Sequence, residues 1–313
     1  IEVQGNAIGF VQAGRPAWVA GVQPDDVVVA INGRPVYDFI DITRGTALST
    51  GTISLEGKRP DGETYKVDFL PSTAGIMLVV VFGPQASTRI FPGPPGSAIP
   101  FVMPGTPAAQ AEGGFRSADT IVAVGGEPVR SFVDLRRILT ERRGETLEFE
   151  VERRVEFSDA KRVESATVTV PPEFHRSLGI RMEVGEVVAV QRNSPAAVAG
   201  IQKKDRITRV QISKAADNGE PAVETLEVGR DLDPARLPDW FADHAGESVV
   251  VTVEREGQGR ETREVTLTPG NRRNWAAPSD PNAPLAIPAI GVAFHFVPRV
   301  LAVEPNSPAD KQG

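Results

Sequence analysis

The 313-residue chain has no cysteine. That excludes a disulfide framework, a thiolate nucleophile and Cys-ligated zinc, and it fits an oxidising compartment as well as a reducing one. Aromatic residues are scarce, at 6%, and only His175, His244 and His295 could offer an imidazole. These lie 69 and 51 residues apart, so none belongs to the His-Glu-x-x-His pair that holds catalytic zinc on a helix. Each reads as an ordinary surface or interface histidine. Gly-x-Ser-x-Gly, P-loop and Gly-x-Gly-x-x-Gly signatures are also missing, so the fragment itself is expected to catalyse nothing and to hold no cofactor. The longest purely apolar run, Ile76 to Phe82, has seven residues, against roughly 20 for a bilayer span; rich in Val and bracketed by glycines, it reads as a buried strand. A basic excess is lacking too. Lys and Arg number 34 against 41 Asp and Glu, a net charge of −7, which argues against a nucleic-acid partner. The opening Ile1-Glu2-Val3-Gln4 has neither the basic start nor the apolar core of a secretory signal. With no initial Met, the chain is expected to be a piece of a longer protein, with any membrane anchor lying outside it.

What is present is a globular composition, 40% hydrophobic and 24% charged, with 30 Gly and 27 Pro that imply many turns and short strands. The length suits about two or three domains. A repeat organises it: Gly14-Arg15-Pro16-Ala17, Gly105-Thr106-Pro107-Ala108, Asn193-Ser194-Pro195-Ala196 and Asn306-Ser307-Pro308-Ala309, with prolines 91, 88 and 113 residues apart. Such a period is domain-sized, longer than a solenoid unit. Each motif follows a strand-like run: Ile8–Val11, Ile99–Val102, Val187–Val190 and Val300–Val303. Ser or Asn caps a short helix with Pro in its first turn, and the Gly of Ala20-Gly21 or Ala199-Gly200 closes it in a left-handed cap; the second copy has Ala111-Glu112-Gly113-Gly114 instead. An Asp follows (Asp26, Asp119, Asp205), then a strand, then Asn32-Gly33-Arg34-Pro35-Val36 or Gly125-Gly126-Glu127-Pro128-Val129, turns that need positive φ. In the third copy about seven inserted residues precede Asn218-Gly219-Glu220-Pro221. Amphipathic helices over Phe132–Leu139 and Pro234–Phe241 come next, and strand pairs close each copy: Thr52–Leu55 with Tyr65–Phe69, Leu147–Val151 with Ala166–Val170, Val249–Val253 with Glu264–Leu267.

This order resembles the bacterial type of PDZ domain. The resemblance implies a mostly β (α+β) fold of tandem, partly open β-sandwich or barrel modules, each with one short and one longer helix. The copies are expected at 1–71 (lacking its leading strand), 75–172 and 174–269, with a Pro-rich linker over 270–287 and the start of a fourth copy over 288–313. PDZ domains bind extended peptides, often C-termini, by adding a strand to a sheet edge, with the terminal carboxylate held by backbone N–H groups of an apolar-Gly-apolar loop. The matching positions are Leu178-Gly179-Ile180 and Ile290-Gly291-Val292, with Gly75-Ile76-Met77 a weaker match. The longer helix forms the far wall, which makes Leu135 and Leu139 of the second copy, and Leu237 and Phe241 of the third, candidate pocket residues; as readily, these apolar side chains simply pack the core. Tandem PDZ copies resemble the extracytoplasmic insert of site-2-type intramembrane zinc metalloproteases, which would place the zinc in a catalytic part absent here. The region would then face the periplasm, touch the membrane only through flanking segments, and gate or recognise substrates. Two alternatives stand beside this: a scaffold that docks copies and partners without reading chain ends, and the PDZ region of a periplasmic serine protease.

Overall fold

The structure, a computed structural model, describes residues 5–47, 49, 51–71, 73–74, 77–78, 82–84, 102–157, 160–172, 178–215, 221–256, 260–273 and 283–312. The chain forms two compact units, one made of residues 1–84 with 177–313 and one of residues 85–176.

Within the first unit, module one begins with β1 (Ile8–Val11) and α1 (Pro16–Ala20). Pro16 opens the helix where an N–H would have no partner, and Gly21, at φ 98°, closes it. β2 (Val27–Ile31) turns through Asn32 and Gly33, both at positive φ, into β3 (Arg34–Pro35). Then follow α2 (Phe39–Ala47), β4 (Ile53–Lys58) and β5 (Thr64–Phe69), in a sheet ordered β3-β2-β4-β5. Ile53 and Leu55 alternate inward and pack with Ile8, Val28, Ile31 and Ile42. β6 (Thr73–Ala74), β7 (Met77–Leu78) and β8 (Phe82–Pro84) come after, and β8 pairs antiparallel with β1, Phe82 opposite Val11. The apolar run at 76–82 thus contributes to two short strands, its other residues lying outside the described set.

The second unit holds module two. Its Pro107–Gln110 stretch is a 3-10 turn rather than the expected α-helix; Ala111 follows in an extended conformation, so the left-handed cap of the other modules is missing at this position. β9 (Thr120–Val124), β10 (Glu127–Pro128), α3 (Phe132–Glu141), β11 (Leu147–Phe157) and β12 (Ala160–Val170) form a sheet ordered β10-β9-β11-β12 under the helix. α3 starts at a reciprocal cap: Ser131 Oγ accepts from Asp134 N at 3.0 Å, and Asp134 Oδ2 accepts from Ser131 N at 3.1 Å. Val102 lies in a bend, while 99–101 fall outside the described residues.

Module three, again in the first unit, runs β13 (Ile180–Val190), α4 (Pro195–Ala199), β14 (Asp205–Ala215), β15 (Pro221–Glu227), a 3-10 turn at Pro234–Arg236, α5 (Leu237–Asp243), β16 (Val249–Glu256) and β17 (Arg260–Leu267). Asp233 caps the 3-10 turn, accepting from Ala235 N at 2.9 Å, so the helix expected from Pro234 begins at Leu237. The sheet order is β15-β14-β16-β17. The chain ends with β18 (Leu285–Ile287) and β19 (Val292–Val303); Ser307-Pro308-Ala309 forms turns, with no helix.

The repeated Asp proves to be one half of a latch common to all three modules. Asp26, Asp119 and Asp205 are fully or almost fully buried. Each accepts the backbone N–H three residues before it, that of Gln23, Arg116 or Gln202, at 2.8 Å. Each is also paired with an Arg in, or one residue past, the strand opposite: Arg59 at 2.6 Å, Arg153 at 3.1 Å and Arg255 at 2.6 Å. The same Arg donates to the carbonyl of the glycine that ends the preceding segment, Gly21, Gly114 or Gly200. One guanidinium therefore ties the Asp turn to the glycine before it and sets a positive charge against a buried carboxylate that would otherwise be costly, although Asp26 Oδ1 itself keeps no hydrogen-bond partner. The fold is mostly β with antiparallel open sheets, as the PDZ resemblance implies.

Candidate functional site

β13 begins at the last residue of Leu178-Gly179-Ile180 and β19 at the last residue of Ile290-Gly291-Val292, and both lead into an Asn-Ser-Pro turn. The two strands pair antiparallel along their whole length, from Ile180 opposite Val303 to Val190 opposite Val292. Each apolar-Gly-apolar loop therefore meets the Ser-Pro turn of the other segment. At one end Gln191 N donates to Gly291 O at 2.8 Å and Ala196 N to Ile290 O at 3.0 Å; at the other Glu304 N donates to Gly179 O at 2.8 Å and Ala309 N to Leu178 O at 3.0 Å. The correspondence amounts to a local two-fold exchange of strands. Gly185 permits it midway: a Cβ there would strike the His295 carbonyl, and the register shifts between Val184 and Val187, so β13 bulges at this point and pairing resumes beyond it.

The consequence for the candidate site is a regrouping. The sequence reading sets Leu178-Gly179-Ile180 against Leu237 and Phe241. The structure instead gathers Leu237 and Phe241 with Ile290 and Val292 in one buried cluster, while Leu178 and Ile180 are exposed at the far end of the ribbon, roughly 30 Å away at about 3.3 Å per residue. Leu237, Phe241, Ile290 and Val292 are fully buried, so they serve the core of module three at least as much as any pocket wall. Gly291 sits at φ 75° with the Ser194 side chain where its Cβ would be, which only glycine tolerates; Gly179 repeats this against Ser307. In module two, Leu135 is buried and Leu139 half-buried in the cluster under α3. Met77 lies in β7 of the first unit, and Ile76 lies outside the described residues.

One component escaped the sequence reading. β18 pairs antiparallel with β19 on the edge opposite β13, Leu285 facing Phe294, Ala286 facing Ala293 and Ile287 facing Val292. α5 lies alongside β18. Ile287 belongs to the cluster of Leu237 and Phe241, with Leu285 packed against it. Ala286 points the other way, into the cluster of module one, with Ala189 and Ala293. A Leu-Ala-Ile segment ahead of the loop was the available signal, hidden inside a stretch read as linker.

The remaining surroundings are structural in character. Trp18 O accepts from Gln191 Nε2 at 3.1 Å and Val19 O accepts from Arg192 N at 2.9 Å, which seats module one on the β13 turn. His244 stacks on Trp240 with ring centroids 4.3 Å apart, and His295 is exposed; His175 lies outside the described residues. Among the described residues no cluster of His, Asp and Glu could hold a metal ion, and no helix is long and apolar enough to cross a membrane.

Two stretches, residues 9–44 and 100–153, match the sequence profile of the PDZ domain. The chain is 38% identical over 127 residues to a protein of Brucella suis named "Putative zinc metalloprotease", covering 41% of this chain and 29% of that protein. A Treponema pallidum protein of the same description is 27% identical over 152 residues, 47% of this chain and 29% of that protein. The periplasmic pH-dependent serine endoprotease DegQ of Escherichia coli is 29% identical over 149 residues, 44% of this chain and 32% of that protein. The chain thus spans about three-tenths of the length of these curated relatives. With modules of this architecture and PDZ matches over residues 9–44 and 100–153, the chain resembles the PDZ region of a site-2-type zinc metalloprotease.

Proposed function

We propose that this chain is the substrate-recognising region of a membrane-embedded zinc metalloprotease, acting on the extracytoplasmic side by binding extended peptides or protein C-termini. The supporting observation is the grouping in module three of an apolar-Gly-apolar loop, its glycine at φ 75°, with β18 and the helix α5. Backbone N–H groups in such a loop hold a carboxylate without any cationic side chain, and the strand supplies main-chain bonds of the β-addition kind. Zinc would be held by the catalytic part of the longer protein. The domain limits 1–71, 75–172, 174–269, 270–287 and 288–313 are the sequence units of this reading, although β8, β18 and β19 pair across them. Titration of the chain with fluorescent peptides carrying free or amidated C-termini tests it; free-carboxylate binding supports the reading, and no binding to any peptide refutes it.

A scaffold role is favoured for module one by its seat on the β13 turn and by the cluster it shares with Ala189, Ala286 and Ala293. Deleting residues 5–71 would then disturb protein partnership while leaving module three able to bind a free-carboxylate peptide.

A further inference from the structure

We infer that the cleft of module three selects chain ends of the form apolar–small–apolar, and that the chain's own Leu285-Ala286-Ile287 occupies that cleft as an internal ligand. The inference rests on the peptide-binding reading above and specifies its ligand and its control. Four features converge. β18 runs antiparallel to β19 on the edge that β13 leaves open, as an added peptide strand would. Its final residue, Ile287, is next to the loop, so its direction is that of a peptide whose C-terminus enters first. The Ile287 carbonyl accepts from Ile290 N at 3.2 Å and Gly291 N at 2.9 Å, putting an oxygen where the loop's donors would hold a carboxylate. Finally the side chains alternate as ligand residues must: Leu285 and Ile287 face the cluster of Leu237 and Phe241, whereas Ala286 is buried against module one.

Both the occupancy and the selectivity follow from these contacts. A tethered segment competes at an effective concentration of about millimolar, so an internal ligand of roughly 10 μM intrinsic affinity weakens any free peptide on the order of a hundredfold. A true C-terminus has a compensating advantage, because bonds from N–H groups to a charged carboxylate are about twice as strong as those to a neutral carbonyl. The middle position must be small, since Ala286 is 8% exposed and its neighbours there, Ala189 and Ala293, are alanines as well. A bulky residue would have to force the modules apart.

The experiment compares the full chain with its Leu285→Ser/Ile287→Ser variant, using a fluorescein-labelled decapeptide ending in Leu-Ala-Ile with a free carboxylate, the same peptide amidated, and one ending in Leu-Trp-Ile. Roughly 10- to 100-fold tighter binding of the free-carboxylate peptide by the variant is expected, with the Trp-containing peptide at least about tenfold weaker. Equal binding by both proteins overturns the internal-ligand inference but leaves peptide recognition standing; no binding by either overturns both. Because the substitutions remove buried side chains, a second measurement uses the unaltered chain. Millimolar Leu-Ala-Ile peptide should speed amide exchange at 285–287 while β14 and β16 stay protected, and unchanged exchange under peptide saturation also overturns the inference.

Discussion

Replacing Arg255 by Ala tests whether the Asp–Arg–Gly latch holds each module. Asp205 is fully buried, and its carboxylate accepts Arg255 Nε at 2.6 Å and Nη2 at 2.8 Å together with Gln202 N at 2.8 Å. Deleting one partner of a buried pair costs about 3–5 kcal/mol, because the remaining charge is left uncompensated. Arg255 is 26% exposed on its side chain, so water can reach the vacated place and the lower end, about 3 kcal/mol, applies. Asp205→Asn should cost less, about 1–2 kcal/mol: its amide oxygen still accepts from Gln202, and the stranded guanidinium is partly solvated. Native-state amide exchange in β14 and β16 is the assay, because it reads the opening of this module apart from the others; about 3 kcal/mol corresponds to roughly a hundredfold faster exchange. The equivalent substitutions should rank Arg153→Ala above Arg255→Ala, since Arg153 is only 11% exposed, and Arg59→Ala lowest, since Tyr65 Oη still donates to Asp26 at 2.6 Å. A loss below about 1 kcal/mol at Arg255, or a larger loss for Asp205→Asn, would refute the latch.

Burial raises the pKa of Asp26 above 3.8 despite the opposing Tyr65 hydrogen bond and Arg59 charge, so its ionised form is less favoured folded than unfolded. That penalty is present at neutral pH, fades as pH falls through the raised value and is gone below the unfolded one; exchange in β2 and β4, compared with Asp26→Asn, should show the native chain gaining relative stability on acidification from about pH 7 toward about pH 4. Gly291→Ala should destabilise module three by about 1–2 kcal/mol from left-handed backbone alone, with Ser194 crowding added, read as a lower Tm. Gly185→Ala should disrupt β13–β19 pairing, seen as faster exchange at 292–303. Glu304→Gln, which removes the partly exposed ion pair with Arg181 at 3.2 Å, should change stability by less than about 1 kcal/mol by urea unfolding.

The local devices of the fold were legible because each is carried by neighbouring residues. Pro16 and Pro195 at helix starts, Gly21 and Gly200 in left-handed caps, and Asn32-Gly33 and Gly125-Gly126 at positive φ follow from backbone sterics that a short motif records. The Asp landmarks were visible, but their arginines were not, since Arg59, Arg153 and Arg255 lie 33, 34 and 50 residues further on and nothing local joins them. Strand ends were underestimated at 152–157, where β11 continues its ladder with β12 by main-chain bonds that sequence polarity does not reveal. The candidate site was half visible: the two apolar-Gly-apolar loops were found, but which helix each loop joins depends on strand exchange over more than about 100 residues. Leu285–Ile287 was missed because proline-rich surroundings disguised a strand.

The interleaving of β13 with β19 puts the folding boundaries out of phase with the sequence motif. A fragment cut at residue 269, where the third repeat ends, would keep α5 and lose Ile287, Ile290, Val292 and Phe294 from beneath it, uncovering an apolar trough. Dissection of this chain into soluble pieces therefore has to follow the hydrogen-bond ladder to residue 303.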